Sequence, residues 1–245
     1  MRLQGREGVG KVATPPCPRA MLPADLRTAE AQLLEALQPA LAAAADGRWT
    51  VELRFEGLRI LPVALRLAAS LASGRPTTLL MPDAGAAALA RRDAPDLEAP
   101  IASFSDHLRR QGESGSEGLL LLVAPSQAEY ETVESLCGRH RGPVVLLNPA
   151  LEDAAVGIGS VARQRRRGFL SLWQAAYALL PQGNSALRRA FPGPWELYRL
   201  DPDGFRAVAE FEQKPDGEQQ AEALGEGGAA AGLRSLGQLI EGLQR

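Results

Sequence analysis

The stretch "GLLLLVAPSQAEYETVESLCGRHRGPVVLLNP", residues 118–149, decides the fold. Leu119 to Val123 is an unbroken apolar run, the pattern of a strand buried on both faces. Ser126 and Glu129 then form an S-x-x-E capping box, the start signal of a helix. Tyr130, Val133 and Cys137 fall on the inner face of that helix, and Gly138 supplies its stop. Val144 to Leu147 is a second buried strand. Strand, helix and strand within about 30 residues make a βαβ crossover, and so a parallel sheet.

Working outward, the same grammar holds on the N-terminal side. In "MLPADLRTAEAQLLEAL", Leu26, Ala29, Leu33, Leu37 and Leu41 recur at helical spacing, with Pro39 expected to kink or end the helix. "TVELRFEG" (50–57) reads as a strand with Val51, Leu53 and Phe55 on one face and Glu52 and Arg54 on the other. "LRILPVALRLAASLASG" reads as a helix, with Pro62 in its first turn and Gly74 as its stop. "TTLLMPDAGAAALARRDA" reads as strand, tight turn and helix, and "IASFSDHL" as a short strand.

Beyond residue 150 the pattern changes. "ARQRRRGFLSLWQA" looks helical, while "YALLP" and "WELYRLDPDGFRAVAEFEQKP" look antiparallel, with "DPDG" as a turn. The expected fold is α/β: a mainly parallel, Rossmann-like three-layer sheet with an antiparallel C-terminal extension. Residues 1–20 read as a disordered tail, 21–215 as one domain, and 216–245 as a low-complexity linker with a terminal amphipathic helix.

Composition bounds the function. The chain has 245 residues and a formal net charge of −2, which gives no electrostatic reason to expect nucleic acid. No apolar run approaches the roughly 20 residues of a membrane span. Lys occurs only at Lys11 and Lys214, the other cations being Arg throughout the chain. Cys17 and Cys137 stand far apart, which suits a reducing compartment and forms neither a disulfide framework nor a zinc site. No apolar segment follows Arg2 and Arg6, so no secretory signal is read.

Three stretches invite a phosphate or ligand reading. "GREGVGKV" (5–12) nearly spells a phosphate loop, but Val12 replaces the Mg²⁺-holding hydroxyl, no strand can precede it, and Pro15, Pro16 and Pro18 forbid the following helix. "MPDAGAAALA" (81–90) places Asp83 and Gly85 between a strand and a helix, where α/β proteins bind ligands; the alternative is that Asp83 caps the helix. "NPALEDAAVGIGSVARQRRR" (148–167) carries Asn148, Glu152 and Asp153, then Gly157, Gly159 and Ala162 at G-x-G-x-x-A spacing. That fingerprint follows its strand too late and lacks the acidic residue some 20 positions on. Arg163, Arg166 and Arg167 would share a helix face able to grip an anion, or form a solvated basic face. His107 and His140 read as surface histidines without a nucleophile beside them, Glu152 and Asp153 set no general-acid geometry, and Trp173 and Trp195 read as sheet-covering aromatics.

Taken together, "LPADLRTAEAQ", "VELRFEGLRILPVA", "MPDAGAAALARRD", "LLLVAP", "VVLLNPALEDAAVGIGSVARQRRRGFL" and "FPGPWELYR" resemble successive blocks of one uncharacterised domain family shared by cyanobacteria and plastids. Its plant members include a protein needed for photosystem II accumulation, and the domain is also attached to a plastid adenylate kinase. The resemblance covers about residues 22–215 and implies an α/β fold, no cofactor and no catalytic residues to carry over. It implies a non-enzymatic accessory protein of the cytoplasm, in peripheral contact with the thylakoid membrane, that binds photosynthetic assembly factors or subunits. The alternative is a nucleotide- or phosphometabolite-binding protein, or an enzyme, using Asp83, Gly85, Asn148, Glu152, Asp153, Gly157, Gly159, Arg163 and Arg166. The resemblance opens beside Met21, which makes Met21 a candidate start.

Overall fold

The computed structural model of the protein describes residues 22–111, 117–151 and 160–225. Its first half alternates helix and strand: α1 (Leu26–Ala43), β1 (Arg48–Leu53), α2 (Ile60–Ala72), β2 (Thr77–Met81), α3 (Ala84–Asp93), β3 (Ile101–Ser103), α4 (Phe104–Gln111), β4 (Leu119–Val123), α5 (Tyr130–Arg139) and β5 (Val144–Leu147). Helix α6 (Ser160–Leu170) leads into four consecutive strands, β6 (Gln174–Gln182), β7 (Ser185–Ala190), β8 (Trp195–Asp201) and β9 (Gly204–Phe211), and α7 (Gly217–Ala223) follows. All nine strands join one sheet in the order β3-β2-β4-β5-β1-β6-β7-β8-β9. Strands β3 to β6 of that order are mutually parallel, and β6 to β9 form an antiparallel meander.

Period-two alternation sorts the side chains into two layers. Val51, Leu79, Leu121, Val145 and Tyr177 face α1, α2 and α3. Leu80, Leu122, Val144 and Leu146 face α4, α5 and Phe169 of α6. A third cluster, built on Leu180, Leu187, Trp195 and Leu197, lies on the meander and takes Ala223 and Leu224 from α7. No helix among the described residues is long and apolar enough to cross a membrane.

Caps set the helix starts. Asp25 accepts from the Thr28 N–H at 2.8 Å and Asp83 from the Ala86 N–H at 2.8 Å, each supplying an acceptor to an orphan donor of the first turn. The Ser126–Glu129 box is reciprocal, although it closes on a 3-10 turn (Gln127–Glu129) that runs into α5.

Several readings from sequence change. Pro39 neither ends nor interrupts α1, which runs on to Ala43; it sits on the exposed face, so the carbonyl it strands faces solvent. Only three residues of "IASFSDHL" are strand, and the rest open α4. The helix read over "ARQRRRGFLSLWQA" stops at Leu170, with β6 beginning at Gln174. The stretch from 217, read as low complexity, opens with helix α7, capped by Asp216 and Gln219.

Strand β7 escapes sequence reading because it carries adjacent arginines. Arg188 is only 7% exposed and donates to Glu196 Oε2 at 2.5 Å on β8. Glu196 also accepts from the Tyr198 hydroxyl at 3.0 Å, and Gln32 of α1 accepts from Arg188 and from Tyr177. This network ties α1 to the meander. Burial, then the nearby Glu196 carboxylate, pushes the Tyr198 phenol up to about 12; burial alone does the same to Tyr177, to about 12.

The histidines are not surface residues. His140 is 3% exposed and its Nε2 lies 3.0 Å from the Gly118 carbonyl. Beside it, Arg48 donates to the carbonyls of Cys137, His140 and Gly142, closing the C-terminal end of α5 against the amino end of β1. Gly142 has no alternative there: a Cβ would stand 2.0 Å from the Gly118 carbonyl oxygen. His107 is half-buried.

Two outcomes follow from these contacts. Replacing Arg188 with Ala leaves the partly buried Glu196, 17% exposed, without its cation and should cost about 2–4 kcal/mol in urea unfolding. The double replacement R188M/E196L should recover most of that loss; an R188A loss under about 1 kcal/mol would show that the pair is effectively solvated. Burial, before the nearby Arg48 charge, lowers the His140 pKa below its ordinary 6.5. Below that value the unfolded chain takes up a proton that the native state refuses, so this stability is complete above about pH 6.5 and lost as pH falls through the folded value. Burial lowers the His107 pKa as well. Tm should therefore decline between about pH 7 and pH 5, and H107N/H140N should flatten that decline.

Candidate functional site

The carboxyl ends of the parallel strands offer the natural place for a site. From β1 the chain leaves toward α2 on one face of the sheet, and from β5 it leaves toward α6 on the other. These strands are neighbours, so the sheet has a topological switch point between them.

Asn148 sits at this point with φ +49°. Its backbone N–H donates to the Val51 carbonyl at 2.7 Å. Its side chain accepts from the Leu53 N–H at 2.6 Å and donates to the Leu53 carbonyl at 2.7 Å. The amide thus extends the β5–β1 ladder by one rung after the strand has turned away. Its polar atoms are used by the backbone.

Next to this clip, on the face of α4–α6, lies a cavity of about 450 Å³. Its polar side is made by Thr50, Glu52, Arg54 and Lys214, and its apolar side includes Leu170 and Trp173. Glu52 is 16% exposed and stands 3.5 Å from Arg54 and 3.5 Å from Lys214. Arg54 also donates to the Pro149 carbonyl at 2.5 Å. Lys214 lies 5.4 Å from the Trp195 ring centroid, a cation–π distance. Among the described residues the site therefore holds two cations against one carboxylate, over an aromatic and aliphatic wall.

The residues singled out by sequence are distributed differently. Asp83 accepts from Ala86 and caps α3, and Gly85 lies in the first turn of that helix. Strand β4 separates their turn from Asn148. Arg166 stacks its guanidinium 4.5 Å over the Tyr130 ring, and Arg165 pairs with Glu134 at 2.8 Å, so this part of the basic run docks α6 on α5. Arg163 belongs to α6; its side chain, and Glu152, Asp153, Gly157 and Gly159, lie outside the described residues. Cys137 is buried, and burial pushes its thiol up to about 12, which removes it as a nucleophile at neutral pH.

Sequence pattern does not by itself single out Glu52, Arg54 and Lys214 as site residues. A signal was present in "TVELRFEG". A strand inside a parallel sheet is expected to be apolar on both faces, yet β1, with a neighbour on each side, carries Thr50 and Glu52 on the second face.

The fold and this site define a doubly wound α/β protein with an antiparallel extension and an open polar cavity at its β5–β1 switch point. Residues 23–222 match the family described as domain of unknown function DUF1995, and the chain belongs to that family. No curated protein matches it significantly.

Replacing Asn148 with Ala strands both Leu53 backbone groups and should cost about 2–3 kcal/mol in chemical unfolding. Asn148→Gly separates the contributions, since it relieves the positive φ but makes neither bond. Equal stability of N148G and the native chain would show that Asn148 is there for its backbone conformation alone.

Proposed function

We propose that this chain is a non-enzymatic accessory protein that supports photosystem II assembly or accumulation by binding another protein, in the cytoplasm at the thylakoid surface. The reading draws on the resemblance of its sequence blocks to those of the cyanobacterial and plastid family, and one structural observation carries it. Helix α2 is flanked by two apolar grooves on the outside of the molecule. One, of about 700 Å³, runs between α1 and α2 over Leu26, Leu34, Val63 and Leu67, with the bidentate Arg66–Glu30 pair on its rim. The other, of about 740 Å³, lies between α2 and the end of α3 over Pro62, Leu65 and Leu97. Arg66 and Ala69 border both. Adjoining grooves along a helix suit an amphipathic helix of a partner, which would seat its apolar face between α1 and α2.

Ala69 is exposed, so A69D places a charge in both grooves at little expense to folding. In pull-downs from thylakoid-containing lysate, the native chain should retain a photosystem II subunit or assembly factor, and A69D should lose it. Deleting the gene should lower photosystem II accumulation, with A69D failing to restore it. Normal accumulation and repair in the deletion strain would refute the proposal.

A further inference from the structure

We propose that the cavity at the β5–β1 switch point binds a small organic monocarboxylate, its carboxylate held by Arg54 and Lys214 and its apolar body packed against Trp173 and Leu170. This site is separate from the α2 grooves and does not depend on their function.

Three observations lead there. First, polar residues occupy the interior of β1. Thr50 lies opposite Leu146 of β5, and Glu52 two residues further along points to the same face. Placing a carboxylate in a strand with neighbours on both sides has no folding advantage, because a hydrophobic side chain there would serve at least as well. Second, the cavity lies at the carboxyl edge between strands whose connections diverge, the position at which open α/β sheets bind ligands. Its volume of about 450 Å³ suits a small molecule.

Third, the charges are unequal. Glu52 meets each cation at 3.5 Å, beyond the usual charge-assisted hydrogen-bond distance, so both cations keep donors for another anion. Among the described residues, two cations and one carboxylate leave one positive charge, which a monoanion neutralises. A phosphate monoester carries about −1.5 to −2 at neutral pH and would leave excess negative charge beside Glu52. The aromatic and aliphatic wall then asks for an apolar body attached to the carboxylate.

The test uses the purified full-length chain with three probes: benzoate, 1-naphthoate and hexanoate. Titrations are followed by calorimetry and by the Trp indole ¹⁵N–¹H signals, with Trp173 assigned through Trp173→Phe. At least one probe should bind and shift the Trp173 signal, while the signal of Trp49, buried on the opposite face, stays in place. The neutral analogue 1-naphthalenemethanol and the dianionic 1-naphthyl phosphate should each bind about tenfold more weakly than 1-naphthoate. Lys214→Gln and Arg54→Gln should weaken carboxylate binding by about tenfold or more. Glu52→Gln should strengthen it and reduce the discrimination against the phosphate. Melting temperatures establish that each variant is folded, and Arg109→Gln, on α4, serves as an unaffected control. The proposal is overturned if none of the three carboxylates binds at about 5 mM. Binding that moves Trp49 rather than Trp173, or that folded K214Q and R54Q leave unchanged, overturns it equally.

Discussion

Strand β1 is inserted between β5 and β6, and the whole sheet depends on how its two ends are held. A strand inside a sheet must have its backbone donors and acceptors satisfied along its length, including where its neighbours turn away. At the amino end, Arg48 spreads its guanidinium over three carbonyls, one in the last turns of α5 and two in the connection to β5. At the carboxyl end, Asn148 reaches from β5 to both backbone groups of Leu53. One residue of β1 thus reaches toward the turn before β5, and the residue that follows β5 reaches back. Between these clips the ladder is ordinary, from the Arg48–Val144 pair to the Val51–Leu147 pair. The clips fix the register, and a one-residue slip would turn every core residue of β1 to the wrong face.

The antiparallel half extends this anchored sheet, and the Arg188 network holds it to α1. A nine-stranded open sheet has two edges that could recruit other chains, and each is blunted in its own way. Strand β3 has only three residues. Strand β9 has a register irregularity opposite Leu197 and Tyr198, and Arg206 near its start is ion-paired to Asp201 and Asp203. Leu200 and Phe205 form an exposed cross-strand pair at the hairpin tip, 48% and 44% accessible. They are the main apolar side chains that this end of the sheet leaves open.

The parallel half was legible because its signals are local. Leu119–Val123 and Val144–Leu147 are too apolar to be anything but buried strands, and Ser126 and Glu129 mark the helix start between them. The losses have a common cause, in that tertiary partners changed what a residue means. Arg188 looks like surface until Glu196 is set beside it on the neighbouring strand. His140 looks exposed in a polar loop until Gly118 and Arg48 close around it. The partner of Asn148 is equally remote, since its amide bonds the backbone of Leu53, 95 positions away. The cavity shows the same limit, since Lys214 joins Glu52 only after the chain has passed through eight more strands.

The two candidate surfaces lie on opposite sides of the sheet. The grooves flank α2, in the layer of α1 to α3, whereas the cavity opens beside α6. They nevertheless share strand β1. Its odd residues, Trp49, Val51 and Leu53, form part of the core beneath the α1–α3 layer, and its even residues, Thr50 and Glu52, line the cavity. The chain leaves β1 directly into α2 through Arg54, itself a cavity residue whose backbone N–H is bonded to Leu179 and whose guanidinium is bonded to Pro149. An anion drawing Arg54 inward would therefore act on the connection that leads into α2. Coupling between the surfaces requires that the anion and the partner protein each bind one position of that connection better than another, and by linkage each would alter the affinity for the other by the same factor. If the connection is rigid, held as it is at both backbone and side chain, the surfaces act independently. The distinction rests on Arg54, because it is the described cavity residue through which the chain passes from β1 toward the grooves.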